Sequence, residues 1–77
     1  IEIRNNSAKF YPNPTSGIVN IEIDQSLHLI KVYNTTGVNV GTFYNSSIDL
    51  TDMASGQYLI KLFYANGKCV HQNILKQ

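Results

Sequence analysis

Tyr58-Leu-Ile-Lys-Leu-Phe-Tyr-Ala-Asn-Gly67 carries the strongest strand pattern of the chain and the turn that follows it. Its first seven residues set Tyr58, Ile60, Leu62 and Tyr64 on one face and Leu59, Lys61 and Phe63 on the other. That period of two is the mark of a β-strand, and the aromatic and β-branched content suits a pleated surface. Ala65-Asn-Gly67 is a tight-turn signal, so Lys68–Lys76 is expected to return antiparallel as a final strand. Its core face is Val70 and Ile74, with His71 and Asn73 turned outward.

Upstream, Thr51–Gly56 has the length of one helical turn, with Thr51 or Asp52 as cap and Gly56 as terminator. So short a stretch does not sustain a helix alone, and a covering loop is the expected form. Tyr44-Asn-Ser-Ser47 sets off the short apolar run Ile48-Asp-Leu50. Before it, Leu27–Tyr33 and Val38–Phe43 flank the turn Asn34-Thr-Thr-Gly37, an antiparallel hairpin with Gly37 at positive φ. Ile30 and Val32 are its core residues, Leu29, Lys31 and Tyr33 share the other face, and Gly41 marks a bulge. Ile18–Ile23 alternates in the same way: Val19, Ile21 and Ile23 oppose Asn20, Glu22 and Asp24. Asp24-Gln-Ser26 breaks it.

Tyr11-Pro-Asn-Pro-Thr-Ser-Gly17 admits neither a helix nor a continuous strand. Pro12 and Pro14 fix their own φ and bias the residues before them toward extended geometry. Asn13, Thr15 and Ser16 bond locally to backbone, and Gly17 tolerates positive φ. The segment reads as a rigid surface corner closing the start of a small module, with one of Phe10 and Tyr11 plugging a core edge. Residues 1–9, with the alternation Ile1–Arg4 and the turn Asn5-Asn-Ser7, read as an edge strand or a linker end.

Six or seven short runs, turns every ~8–12 residues and no helical period point to an all-β sandwich, with an SH3-like or OB barrel as the rival. Seventy-seven residues suffice for one modest core. With 43% apolar and 14% charged residues the chain is globular rather than disordered. A formal charge of +1 offers no electrostatic basis for nucleic acid or an anionic membrane, and no lipid insertion is expected. The single Cys69 excludes an internal disulfide and a zinc-thiolate site. The chain opens on Ile1 without an initiating Met and reads as a piece of a longer protein.

Catalytic constellations are thin. Asp49 and Asp52 are the one carboxylate pair in a loop, and they read more simply as a turn residue and a cap. Cys69 and His71, two apart on a strand, share a face but bring no orienting group or oxyanion donor. His28 is remote in sequence. Glu2, Glu22, Asp24, Asp49 and Asp52 lack the spacing of a calcium loop. No enzyme activity, cofactor or metal is expected.

Four stretches in order resemble the type A C-terminal sorting domain of the Bacteroidetes type IX secretion system. They are Tyr11-Pro-Asn-Pro-Thr-Ser-Gly17 with its following β run, and Ile30-Lys-Val-Tyr-Asn-Thr-Thr-Gly37. Next come Ile48-Asp-Leu50 with Ala54-Ser-Gly-Gln-Tyr-Leu-Ile-Lys-Leu62, and the terminal hairpin with Asn66-Gly67 and Ile74-Leu-Lys76. The resemblance covers residues 10–76, although the tail carries fewer lysines than the family commonly has. It implies an immunoglobulin-like sandwich at 10–77 that acts as an export address behind an N-terminal cargo. An outer-membrane translocon and shuttle proteins would read it. A sortase-like cysteine protease at the cell surface would remove it, and the cargo is commonly joined to anionic lipopolysaccharide. The motif residues are Tyr11, Pro12, Asn13, Pro14, Gly17, Gly37, Gly56, Tyr58, Gly67, Ile74 and Lys76.

A carbohydrate-binding module of a secreted hydrolase is the alternative, with Tyr33, Tyr44, Phe63 and Tyr64 as a platform, though no Trp is present. A structural or adhesive spacer is the third.

Overall fold

A computed structural model describes residues 8–23 and 26–77. Among them are seven strands and no helix: β1 (Lys9–Tyr11), β2 (Ile18–Glu22), β3 (Leu27–Tyr33), β4 (Asn39–Phe43), β5 (Ser47–Asp49), β6 (Gly56–Tyr64) and β7 (Cys69–Lys76). They form two antiparallel sheets, ordered β1-β2-β5 and β4-β3-β6-β7. This sandwich-like arrangement fits an immunoglobulin-like fold. The Ile1–Arg4 alternation and the Asn5–Ser7 turn lie outside the described residues.

β6 is the spine of the larger sheet. Tyr58, Ile60, Leu62 and Tyr64 are all buried, as the period of two requires. Ile30 and Val32 of β3 and Ile74 of β7 lie beside them, and Val19 and Ile21 of β2, Ile48 of β5 and Leu50 just after it complete the same core. Phe10 rather than Tyr11 packs against this core, and Tyr11 stays exposed. Two turns follow the sequence reading closely: Gly37 (φ 85) and Gly67 (φ 94) occupy the left-handed region. In the first, the Asn34 Oδ1 accepts from the Thr36 and Val38 N–H groups at 3.0 Å each.

Strand ends shift by a residue where polar groups compete. Val38 sits in the Asn34 turn instead of opening β4, and Lys68 sits in the last turn instead of opening β7. The bulge expected near Gly41 is present. Val32 pairs with Gly41 and Tyr33 with Asn39, so Val40 is skipped. Residues 51–55 are a covering loop and Gly56 already opens β6, so neither Thr51 nor Asp52 caps a helix and Gly56 does not end one. The loop's hydrogen bond from the Met53 N–H to the Leu50 carbonyl (2.9 Å) closes a single turn.

Gln72 departs from the pattern. It shares parity with Val70 and Ile74 yet is exposed. A three-stranded sheet does not cover all of a four-stranded one, and the outer strand is left wet at that point.

Candidate recognition site

The Pro-Asn-Pro corner and the last strand are joined. Thr15 makes a parallel bridge to Lys76: its N–H donates to the Leu75 carbonyl at 2.9 Å, and its carbonyl accepts from the Gln77 N–H at 2.8 Å. Two residues earlier, the Asn13 side chain does the same work without a strand. Its Nδ2 donates to the Asn73 carbonyl (3.3 Å) and its Oδ1 accepts from the Leu75 N–H (3.1 Å). The C-terminal half of the β7 edge is therefore satisfied by residues 13 and 15, more than 55 positions away in sequence. An edge strand left bare would template pairing with other chains.

The sequence assigns Thr15 a local bond to backbone, which it makes, but not its burial (1% exposed). Its hydroxyl donates to the Ile18 carbonyl at 3.0 Å and accepts from the Gly17 N–H at 3.1 Å. A Thr between Pro14 and Ser16 looks like any loop residue, and only the return of β7 encloses it. Pro12 and Pro14 are exposed, each after a cis peptide bond.

Gly17 corrects an expectation. It does not adopt positive φ. It is glycine because a Cβ there would stand 2.7 Å from the Thr51 hydroxyl, and its carbonyl accepts from the Leu50 N–H at 2.8 Å. Close approach, not backbone conformation, decides the residue. Gly56 does have positive φ (144) and already belongs to β6.

Lys76, the closing basic residue of the motif, is drawn into the fold. It is only 9% exposed, and its Nζ donates to the Thr51 carbonyl at 3.5 Å. The stem covers apolar surface while the ammonium reaches a carbonyl at the rim. Tyr58 is buried in the same region and donates its hydroxyl to the Ala54 carbonyl at 2.6 Å. Corner, β7 end and covering loop thus meet around Thr51. Gly37 and Gly67, at the two hairpin turns, are not part of this cluster.

Asp49 is exposed, and its Oδ1 accepts from the Thr51 N–H at 2.9 Å. Hydrogen bonds from Thr51, the side chain first and then the backbone, hold its pKa below the usual 3.8. This is a turn role. Cys69 and His71 are both exposed, and no group of three or more His, Cys, Asp and Glu gathers as a metal site among the described residues. Glu2 and Asp24 lie outside those residues. The proposed aromatic platform does not form: Tyr64 is buried at 2% exposure, Tyr33 and Phe63 are half-buried, and Tyr44 stands apart at 68%.

The corner, the β7 end and the hairpins between them all fall within one family match. The sequence profile described as "Secretion system C-terminal sorting domain" covers residues 9–76. The chain belongs to this family, the C-terminal sorting domains of the type IX secretion system. No curated protein matches the chain. For a sorting domain, membership implies work with the type IX machinery on behalf of an N-terminal cargo, and export through the outer membrane to the cell surface or beyond.

Proposed function

We propose that the folded module, which includes Lys9 of β1, is a non-catalytic address read in folded form by the type IX outer-membrane translocon, with the residues before it as the end of the linker from the cargo. Shuttle proteins and a sortase-like cysteine protease that removes the module after export complete the set of partners. The observation that carries this reading is the clamp of Asn13 and Thr15 on Asn73, Leu75 and Gln77. It makes the family's opening motif and its last strand one continuous surface, which exists only when the module is folded. Two prolines and a two-point backbone bridge hold that surface before any partner arrives, and a preorganised surface loses less entropy on binding. Lys76 serves the fold here, while the exposed Pro12, Asn13 and Pro14 and the accessible Leu75 offer the contact.

The test is fractionation of a type IX-competent cell that expresses a passenger fused ahead of residues 1–77. The intact fusion is expected at the surface or in the medium, and the same passenger lacking residues 10–77 in the periplasm. Equal surface delivery of both would end the proposal.

A further inference from the structure

The outer face of the four-stranded sheet holds an arrangement that the fold itself does not require. Ile30, Val32, Ile60 and Leu62 point into the core, so Leu29, Lys31, Tyr33, Leu59, Lys61 and Phe63 point away from it. Lys31 and Lys61 are direct cross-strand partners on the two central strands. His71 of β7 extends the same row beyond Lys61, and Thr42 of β4 extends it beyond Lys31. Like charges directly opposite one another destabilise a sheet. The four strands of this sheet contain no Asp or Glu, so no carboxylate on them offsets the pair. Glu22 and Asp49 belong to the other sheet, on β2 and β5, and Asp52 to the turn after it.

The lysines reach diagonally for what relief there is. The Lys31 Nζ stands 6.0 Å from the Phe63 ring centroid, and the Lys61 Nζ 5.4 Å from that of Tyr33. Apolar rows flank the charged one: Leu29 pairs with Phe63 on one side, and Tyr33 with Leu59 on the other. At the Tyr33 end the face dips into a concavity of about 430 Å³ lined by Lys61, Gln57, Leu59 and Asn73 among others. Asn73 is also a residue the corner grips, so this face runs up to the clamp.

We infer that this face docks onto an acidic protein surface of the export machinery, whose carboxylates sit over the Lys31–Lys61 row while apolar side chains cover the flanking rows. The inference rests on the sorting reading above. A polysaccharide would stack on open ring faces, and here each ring already carries an ammonium. A lipid or nucleic-acid surface draws on a broad basic patch, whereas this row is narrow and bordered by Leu29, Phe63, Tyr33 and Leu59. A carboxylate between two lysines satisfies both and relieves their repulsion, so binding and folding favour the same geometry only when the partner is present.

The experiment compares Lys31→Glu with Lys68→Glu in the passenger fusion. Both make the same change in charge, but Lys68 is exposed in the β6–β7 turn, off the face. Lys31→Glu places opposite charges across from each other, so its thermal midpoint should equal or exceed that of the unaltered module. Its surface delivery should nevertheless fall about tenfold, while Lys68→Glu delivers normally. On the unaltered module, carbodiimide should couple Lys31 or Lys61 to Asp or Glu side chains of the purified translocon. That readout does not depend on any variant folding. Normal delivery by Lys31→Glu, equal loss in both variants, or couplings that avoid both lysines would overturn the inference. So would binding of the module to phosphatidylglycerol vesicles that Lys31→Glu abolishes, because lipid would then be the occupant. If the unaltered fusion itself stays in the periplasm, the sorting reading fails first and takes the inference with it.

Discussion

The Asn13 carboxamide accepts the Leu75 N–H at 3.1 Å, 62 residues along the chain, and so stands in for a backbone carbonyl of a missing strand. Asn13→Ala removes this acceptor and also the donor to the Asn73 carbonyl. The site is exposed, so water replaces the lost bonds in part, and the expected cost is about 0.5–1.5 kcal/mol. The specific signature is local. Amide exchange at Leu75 should accelerate more than at Ile60, whose strand lies between two others. Uniform acceleration across both would mean that the corner does no more than contribute to global stability.

Gly17 and Thr51 are predicted to be coupled. Gly17→Ala sets a Cβ 2.7 Å from the Thr51 hydroxyl and should cost about 1–3 kcal/mol. In a Thr51→Ala background that oxygen is gone and the nearest remaining atoms are 3.5 Å away, so the added penalty should largely vanish. A denaturation cycle over the four proteins measures the interaction energy, and strict additivity would contradict the close-approach reading.

Tyr58 contributes through both its ring and its hydroxyl. Tyr58→Phe loses the 2.6 Å bond to the Ala54 carbonyl and should cost about 1 kcal/mol, loosening the 51–55 loop. Tyr58→Ala empties a core position and should cost about 3–5 kcal/mol. Urea melts that placed the two variants together would show that the ring is not packed as described.

Most of the sandwich was legible because its faces alternate. Every inward residue of β6 and both core residues of β3 follow from a period of two, and Asn-Gly and Thr-Gly turns mark where the chain reverses. What was not legible depends on contacts distant in sequence. Thr15 is buried only because β7 returns beside it. Gly17 is small because the loop at Thr51 crosses it, and Lys76 is buried with its ammonium held by the Thr51 carbonyl of that same loop. The Lys31–Lys61 row was also hidden, since two lysines 30 residues apart become neighbours only through the β3–β6 register.

Acid should weaken the covering loop through Asp49. Its folded-state pKa lies below 3.8, so the carboxylate favours the folded form. That contribution is complete above the unfolded value and is lost as pH falls through the folded one. Asp49→Asn keeps an acceptor for the Thr51 N–H but cannot ionise. The midpoint difference between the two proteins should therefore narrow from about pH 6 to about pH 3. A gap that stayed constant or widened on acidification would contradict the assignment.

If the Pro-Asn-Pro corner and the last strand act as one folded address, removal of Asn73–Gln77 should silence it. This truncation takes away every C-terminal backbone group that Asn13 and Thr15 hold and leaves the corner sequence intact. Fractionation of the fused passenger, with circular dichroism on each purified module, is the measurement. Surface delivery is expected for the full module and periplasmic retention for the truncated one, although Tyr11–Gly17 is unchanged in both. Surface delivery by the truncated module at the level of the full one would contradict this expectation.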